Sequence, residues 1–330
     1  MKSKLYLILT ILALSTFNSC DRVTGRNLSA DPIHINRFDK DLFQLILSDT
    51  PELQKKMSAE YPEMLKVIGL SILKVDDIHQ PDFFDHLVNY YSEPTLNKLY
   101  RDAIMLYDRI ETVEANLGAG FQYLQTCFPS MQIPAVYMHV SGLQQNILVA
   151  DSLLSISIDK YLGSDYPLYK DFFHDYQLQK MNLGRIVPDY LKAWLLSDYP
   201  FNGNNRVLLD RMIYEGKILY IIHNALPQVL PEILMGYTSG EYQWCKNNEN
   251  VLWKIIIERN HLYTPDAATT SGYFSDRPLD NISDLAPGNL GSWIGWQIVS
   301  KYMGRAKVSI EDLMMNTDCQ EILKISRYKP

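Results

Sequence analysis

The stretch Asn205-Arg-Val-Leu-Leu-Asp-Arg-Met-Ile-Tyr-Glu-Gly-Lys-Ile-Leu-Tyr-Ile-Ile-His-Asn-Ala-Leu226, closed by Pro227, reads as one long helix. Steps of four and three residues from Leu208 reach Met212, Glu215, Leu219, Ile222 and Leu226, which therefore share a face. Leu209, Ile213, Gly216 and Tyr220 form a second row beside it. The first row is apolar except at Glu215. A carboxylate on an apolar face is costly unless it is paired, hydrogen-bonded or bound to a cation. Glu215 is thus either a structural residue, paired with a buried Arg or capping a neighbouring helix, or a position that holds or once held a metal. Gly216, which lacks a side chain, allows another backbone to approach closely.

The ends of the chain fix its destination. Lys2 and Lys4 precede an apolar run from Leu5 to Leu14, and Ser15-Thr-Phe-Asn-Ser-Cys20 follows. The run is too short for a comfortable membrane span and reads as a secretory leader. A Cys after a small residue at the end of such a run has the pattern of a bacterial lipoprotein acylation site, although Phe17 and Asn18 depart from the commonest form. Residues 1–19 are therefore read as a signal peptide, Cys20 as the lipidation site, 20–34 as the acylated Cys with a polar tether, and 35–330 as a single globular domain. Loss of the leader removes Lys2 and Lys4 and takes the net charge from -7 to about -9. With 38 acidic against 31 basic residues the chain is no general nucleic-acid binder. Cys127, Cys245 and Cys319 are widely spaced and contain no CxxC pair, which excludes a disulfide scaffold and a cysteine zinc site. No later apolar run approaches the length of a membrane span, so the lipid is the one membrane attachment expected.

The fold expected is α+β, mostly helical with a small antiparallel sheet. Residues 35–125 show helical periodicity interrupted at Thr50-Pro51, Tyr61-Pro62, Gln80-Pro81 and Glu93-Pro94, several of which are helix starts. In 126–330, Ile133–Val140, Asn146–Ala150 and Leu154–Ile158 read as short strands, the last with the alternation of a half-exposed one. Helices return at Pro188–Leu196, and Glu241–Lys246 and Asn250–Glu258 form one helix or two abutting ones. Tyr263 to Gly291 reads as a long polar loop. It leads into an apolar helix from Gly291 to Met303, where Gly291 and Gly295 permit close packing. Ser309 and Asp312 are placed as a capping box.

Motifs for chemistry are missing. The seven histidines form no HxxxH or HExxH pair, and GxSxG, GxxxxGK[ST] and GxGxxG are absent. His223 lies roughly 80° round the helix from Glu215, too far for the two to share a metal unaided. His139 reads as a sheet residue. Asp276, Asp280 and Asp284 are too loosely spaced for a calcium loop. No metal, cofactor or catalytic residue is expected on these grounds.

Several segments together resemble the gliding motility lipoprotein GldB family of Bacteroidetes. They are Ile35-Asn-Arg-Phe-Asp-Lys-Asp-Leu-Phe43, Leu143-Gln-Gln-Asn-Ile-Leu-Val-Ala-Asp151, Tyr161-Leu-Gly-Ser-Asp-Tyr-Pro167, Glu215-Gly-Lys-Ile-Leu-Tyr220, Trp244-Cys245, Pro287 to Val299, and Ser326-Arg-Tyr-Lys-Pro330. The resemblance implies a part in surface gliding and its linked secretion system, with no established chemistry. It also implies a distant likeness to zincin-type zinc peptidases, which carry HExxH on one helix and a Glu-Gly pair on a later one. Glu215-Gly216 stands at the third-ligand position, and Pro188-Asp189-Tyr190-Leu191-Lys192 can be set against HExxH. Pro188 and Lys192 then replace both ligand histidines, and Asp189 stands for the general base. One remaining carboxylate does not make the three-ligand site that zinc hydrolysis needs. The expectation is a vestigial site in which Lys192 pairs with Glu215. The expected function is a lipid-anchored, non-catalytic envelope component facing the periplasm, touching proteins of the gliding and secretion machinery. The alternatives are a metallopeptidase-like hydrolase with an unorthodox site and a peptide- or glycan-binding lipoprotein.

Overall fold

The structure is a computed structural model that describes residues 31–75, 77–279 and 282–330. The signal peptide, Cys20, most of the tether and Asp280 lie outside the described residues. The first part runs β1 (Ile35–Asn36), α1 (Phe38–Leu47), α2 (Pro51–Glu60), α3 (Pro62–Ile68), α4 (Phe83–Tyr91), α5 (Pro94–Leu106) and α6 (Glu111–Cys127). Pro opens α2, α3 and α5, where its missing N–H leaves no hydrogen bond unmade. Thr50 Oγ1 accepts from Leu53 N–H at 3.3 Å and the Glu93 carboxylate from Leu96 N–H at 2.8 Å, so both caps come from the residue before the proline.

The sheet follows: β2 (Ala135–His139), β3 (Ile147–Ala150) and β4 (Leu153–Ser157), in spatial order β1-β2-β4-β3. It is mixed, which corrects the antiparallel sheet expected from sequence. β3 and β4 form an antiparallel hairpin, but β1 runs parallel to β2, and β2 parallel to β4. The hairpin is legible in the Asp151-Ser152 turn. The parallel pairs join strands distant in sequence, such as Ile35 to Val136, and leave no local trace. β4 is also not half-exposed, since all five of its residues are buried. Its alternating serines are polar because they have buried partners: Ser155 Oγ lies 2.7 Å from His139 Nδ1, and Ser157 Oγ accepts from Ser141 N–H at 3.0 Å.

The remaining helices are α7 (Asp175–Leu178), α8 (Ile186–Asp198), α9 (Leu208–Ala225), α10 (Pro231–Met235), α11 (Ser239–Glu258), α12 (Ala267–Phe274), α13 (Leu290–Ala306), α14 (Ile310–Met315) and α15 (Cys319–Ser326). α9 is the quoted stretch, starting three residues later than Asn205 because Val207 N–H turns back to Asn204 C=O. α11 is one helix, opened by a capping box between Thr238 and Glu241. The long polar loop hides α12, whose weakly amphipathic Ala-Ala-Thr-Thr-Ser-Gly gives little periodic signal, while Asp266 caps it through Ala268 and Thr269 N–H. The Ser309–Asp312 capping box forms as expected. One apolar core runs from Ile35 to Tyr328 and includes both parts of the chain.

At its centre α9 and α13 cross with their backbones touching. A Cβ on Gly216 would stand 2.3 Å from the Gly295 carbonyl, and a Cβ on Gly295 would stand 1.8 Å from Met212 O. The glycines are therefore a matched pair, each needed by the other helix. Gly295→Ala and Gly216→Ala should each destabilise the protein by at least ~2–3 kcal/mol, because backbone cannot yield as a flexible side chain can. Gly304, on the same helix, is the control, since a Cβ there would meet nothing within 4 Å. Gly304→Ala should be neutral or stabilise by up to ~1 kcal/mol. Urea denaturation of the three variants checks the contrast.

Candidate functional site

The sequence places its candidate residues on α8 and α9, and the structure brings these two helices together. Arg185, just before α8, and Asp189 and Lys192 within it recur at helical spacing and lie on one side. Lys192 Nζ lies 3.2 Å from Glu215 Oε2, so the expected ion pair is present. Glu215 is not a buried carboxylate, however. Leu208, Met212, Leu219, Ile222 and Leu226 on its row are buried, while its side chain is 18% exposed and that of Lys192 31%. Glu215 therefore edges the apolar stripe, and Gly216 beside it faces α13.

Asp189 is held by an Arg and a Tyr. Arg185 Nη2 donates to Asp189 Oδ1 at 2.6 Å and Nε to Oδ2 at 3.4 Å, and the Tyr161 hydroxyl donates to Oδ2 at 2.9 Å. Arg185 Nη1 reaches the last carbonyls of α10, Ile233 O at 2.9 Å and Leu234 O at 2.8 Å. The guanidinium thus ties three segments and closes the C-terminal end of α10. Gly236 ends that helix at φ +69°, and a Cβ there would stand 2.7 Å from Lys180 Cγ. Lys180 passes over it to pair with Asp276, and burial holds its ammonium below its ordinary pKa despite that partner, with Arg185 and Lys192 as further nearby cations. Each of the three cations is matched by one carboxylate from another turn or element. Among the described residues no group of three or more His, Cys, Asp and Glu stands close enough to hold a metal ion.

The histidines lie elsewhere. His139 is fully buried, and burial alone brings its pKa down to about 3. Its contact with Ser155 joins a nucleophile type to a base type, but both are 0% exposed, so no substrate reaches them. His223 packs its ring against Trp296 at 5.2 Å, and burial lowers its pKa. Sequence reading missed Asp159, buried and accepting from Ser141 N–H at 3.0 Å and Leu143 N–H at 2.7 Å as well as from the Ser157 hydroxyl. Its carboxylate organises the turn in which Gly142 and Leu143 take positive φ, and burial raises its pKa. Arg185 and Tyr161 were also missed. The one usable signal was the Arg185/Asp189 spacing of four residues at the start of a helix.

Two outcomes follow for stability. Asp189→Asn leaves Arg185 partly buried and deprived of its carboxylate, and should cost about 3 kcal/mol. Glu215→Gln breaks a partly solvated pair and should cost about 1 kcal/mol or less, with the difference shrinking in salt. Denaturant melts at low and high ionic strength check the ranking. For pH, His139 stays neutral when folded but takes a proton near 6.5 when unfolded. Its contribution is therefore complete above about pH 6.5 and is lost as pH falls towards about 3. His223 and His261 shift in the same direction. Consequently His139→Gln should flatten, but not abolish, the fall in stability over that window.

Comparison with known proteins places the chain. The profile of one family, gliding motility protein GldB, matches residues 22–330. No curated protein and no solved structure matches it. The expected likeness to zincin peptidases finds no support in these comparisons.

Proposed function

The chain belongs to the gliding motility protein GldB family, a family of gliding-motility lipoproteins, and from that premise we propose that it is a lipid-anchored, non-catalytic component of the gliding apparatus and its associated secretion system. It acts by touching other proteins of the envelope from the periplasmic side. The observation that carries this reading is the family match over 22–330, which begins directly after the Cys20–Asp21 pair. Supporting it, no described helix is long and apolar enough to cross a membrane, compatible with a lipid on Cys20 as the attachment. The non-catalytic part rests on the ion pairs: Asp189, Glu215 and Asp276 are each held by a cation. A glycan-binding groove built on Trp293 and Trp296 is disfavoured, since they are 2% and 5% exposed.

Replacement of the chromosomal copy tests both parts. Cys20→Ala should leave the protein out of the membrane fraction and abolish gliding, whereas Glu215→Gln with a normal anchor should glide at the wild-type rate. Full gliding by an unanchored protein would overturn the lipoprotein part. Loss of gliding in a stably folded Glu215→Gln strain would overturn the non-catalytic part.

A further inference from the structure

The first described residues run along α6. The Asp31 carbonyl sits in a notch at Gly118, where a Cβ would stand 2.3 Å from it. Ile33 N–H donates to Glu114 O at 3.1 Å, and Ile35 N–H to Glu114 Oε1 at 2.9 Å. Whatever holds Cys20 therefore holds α6, since Asp31 is only eleven residues further on. A coil of that length spans about 18 Å and a fully extended chain about 38 Å, against a domain roughly 50 Å across. α11 is separated from α6 by three helix packings, α6 on α9, α9 on α13 and α13 on α11, each of about 9 Å. A lipid on Cys20 thus keeps the α6 side closer to the bilayer than the α11 side.

A long uncharged run begins at the same helix. From Ala115 to Ala150 the chain carries no Asp, Glu, Lys or Arg, although these make up 21% of the sequence. His139, within the run, is buried and neutral. The exposed residues of the run form a continuous surface. Gln122, Gln125 and Thr126 share a face of α6. Gln125 Nε2 donates to Met131 O at 3.4 Å, next to the exposed Gln132 and Ile133. Ala135 N–H donates to Ser152 O at 2.8 Å, which brings in the β3–β4 hairpin and Val149. Ile133 and Val149 are 39% and 40% exposed.

We propose that this surface, from the second half of α6 across 128–135 to the β3 edge, is the membrane-proximal face, which the Cys20 lipid lays against the headgroups of a zwitterionic bilayer. The place where the tether joins the domain selects the bilayer as occupant. The missing charge fits it, because a charged side chain brought against a low-dielectric layer loses hydration, whereas amides, hydroxyls and two aliphatic side chains do not pay that cost. Charged residues return at the edge and are acidic: Asp151 in the β3–β4 turn, and Asp198 beside the Tyr199 ring that packs on Phe128. Together with the acidic balance of the chain they disfavour an anionic surface. β3 is an outer strand of the sheet and carries no Lys or Pro to guard its edge, so cover by the bilayer also shields it from pairing with other chains. The inference rests on the lipid-anchor reading proposed above. The two fail separately, since acylation is read in cells and the face is read on vesicles with a substitute anchor.

The test puts a short polyhistidine segment in place of Cys20 on the chain from residue 21 onward and holds it on phosphatidylcholine vesicles containing a nickel-chelating lipid. Amide hydrogen exchange is compared on the vesicles and free in solution. Peptides covering 122–135 and 144–150 should exchange at least roughly threefold more slowly on the vesicles, and those covering 246–258, on α11, should be unchanged. Ile133→Glu/Val149→Glu should remove that protection, and Ile257→Glu, on an exposed side chain of α11, should leave it intact. Adding anionic lipid should not increase it. Thermal melts confirm that each variant is folded. Unchanged exchange, protection centred on another segment, or protection that survives the double variant or grows with anionic lipid would overturn the proposal. So would the same protection appearing at high protein concentration without vesicles, because the face would then join two copies of the chain.

Discussion

The contact between Gly216 and Gly295 is the constraint from which the rest of the second half is built. Two helices whose backbones touch have no side chains to adjust at the crossing point, so their relative position is set to within a fraction of an ångström. α9 then presents its buried rows to the core on both sides of that point, while α13 carries Trp293 and Trp296 inward beside it. Lys217, next to Gly216, is buried, and its ammonium reaches Met314 O at 3.4 Å and Asn316 O at 2.5 Å, tying the end of α14 to the same crossing. Burial brings that ammonium down to about 8, so holding it charged at neutral pH opposes folding and is offset by the helix end it closes.

The same arrangement decides where the charges near α8 find their partners. Because α9 is fixed against α13, Glu215 stays at the rim of the stripe and within reach of Lys192 rather than inside the core. Arg185 meanwhile links Asp189 to α10, and Lys180 links the start of the loop after α12 to the same region through Asp276. The three carboxylates thus act as fasteners between elements.

Much of this architecture was legible in the sequence for physical reasons. The helical period of 208–226, the prolines at helix starts and the Ser309 capping box are local signals, and each led to the element found. Gly216 and Gly295 could each be read as sites of close approach, but only the folded chain shows that they meet each other. That Glu215 needs a partner was legible from its place on an apolar row, but Lys192 as that partner came only from the resemblance to zincin-type peptidases. What stayed hidden was non-local or non-periodic: the parallel pairing of β1 with β2, the burial of alternating serines in β4, and the short helix α12. Asp159 was hidden for a related reason, since its partners are backbone N–H groups that any sequence can supply.

The most direct test of the central claim, that the α8–α9 site is a structural ion-pair arrangement and not a working metal centre, is elemental analysis of the chain from residue 21 onward. The protein is purified without chelator and measured again after loading with zinc and desalting. The account predicts metal well below one equivalent in both samples, unchanged by Glu215→Ala. Stoichiometric zinc that disappears in Glu215→Ala would contradict it and would show that Glu215 is a ligand.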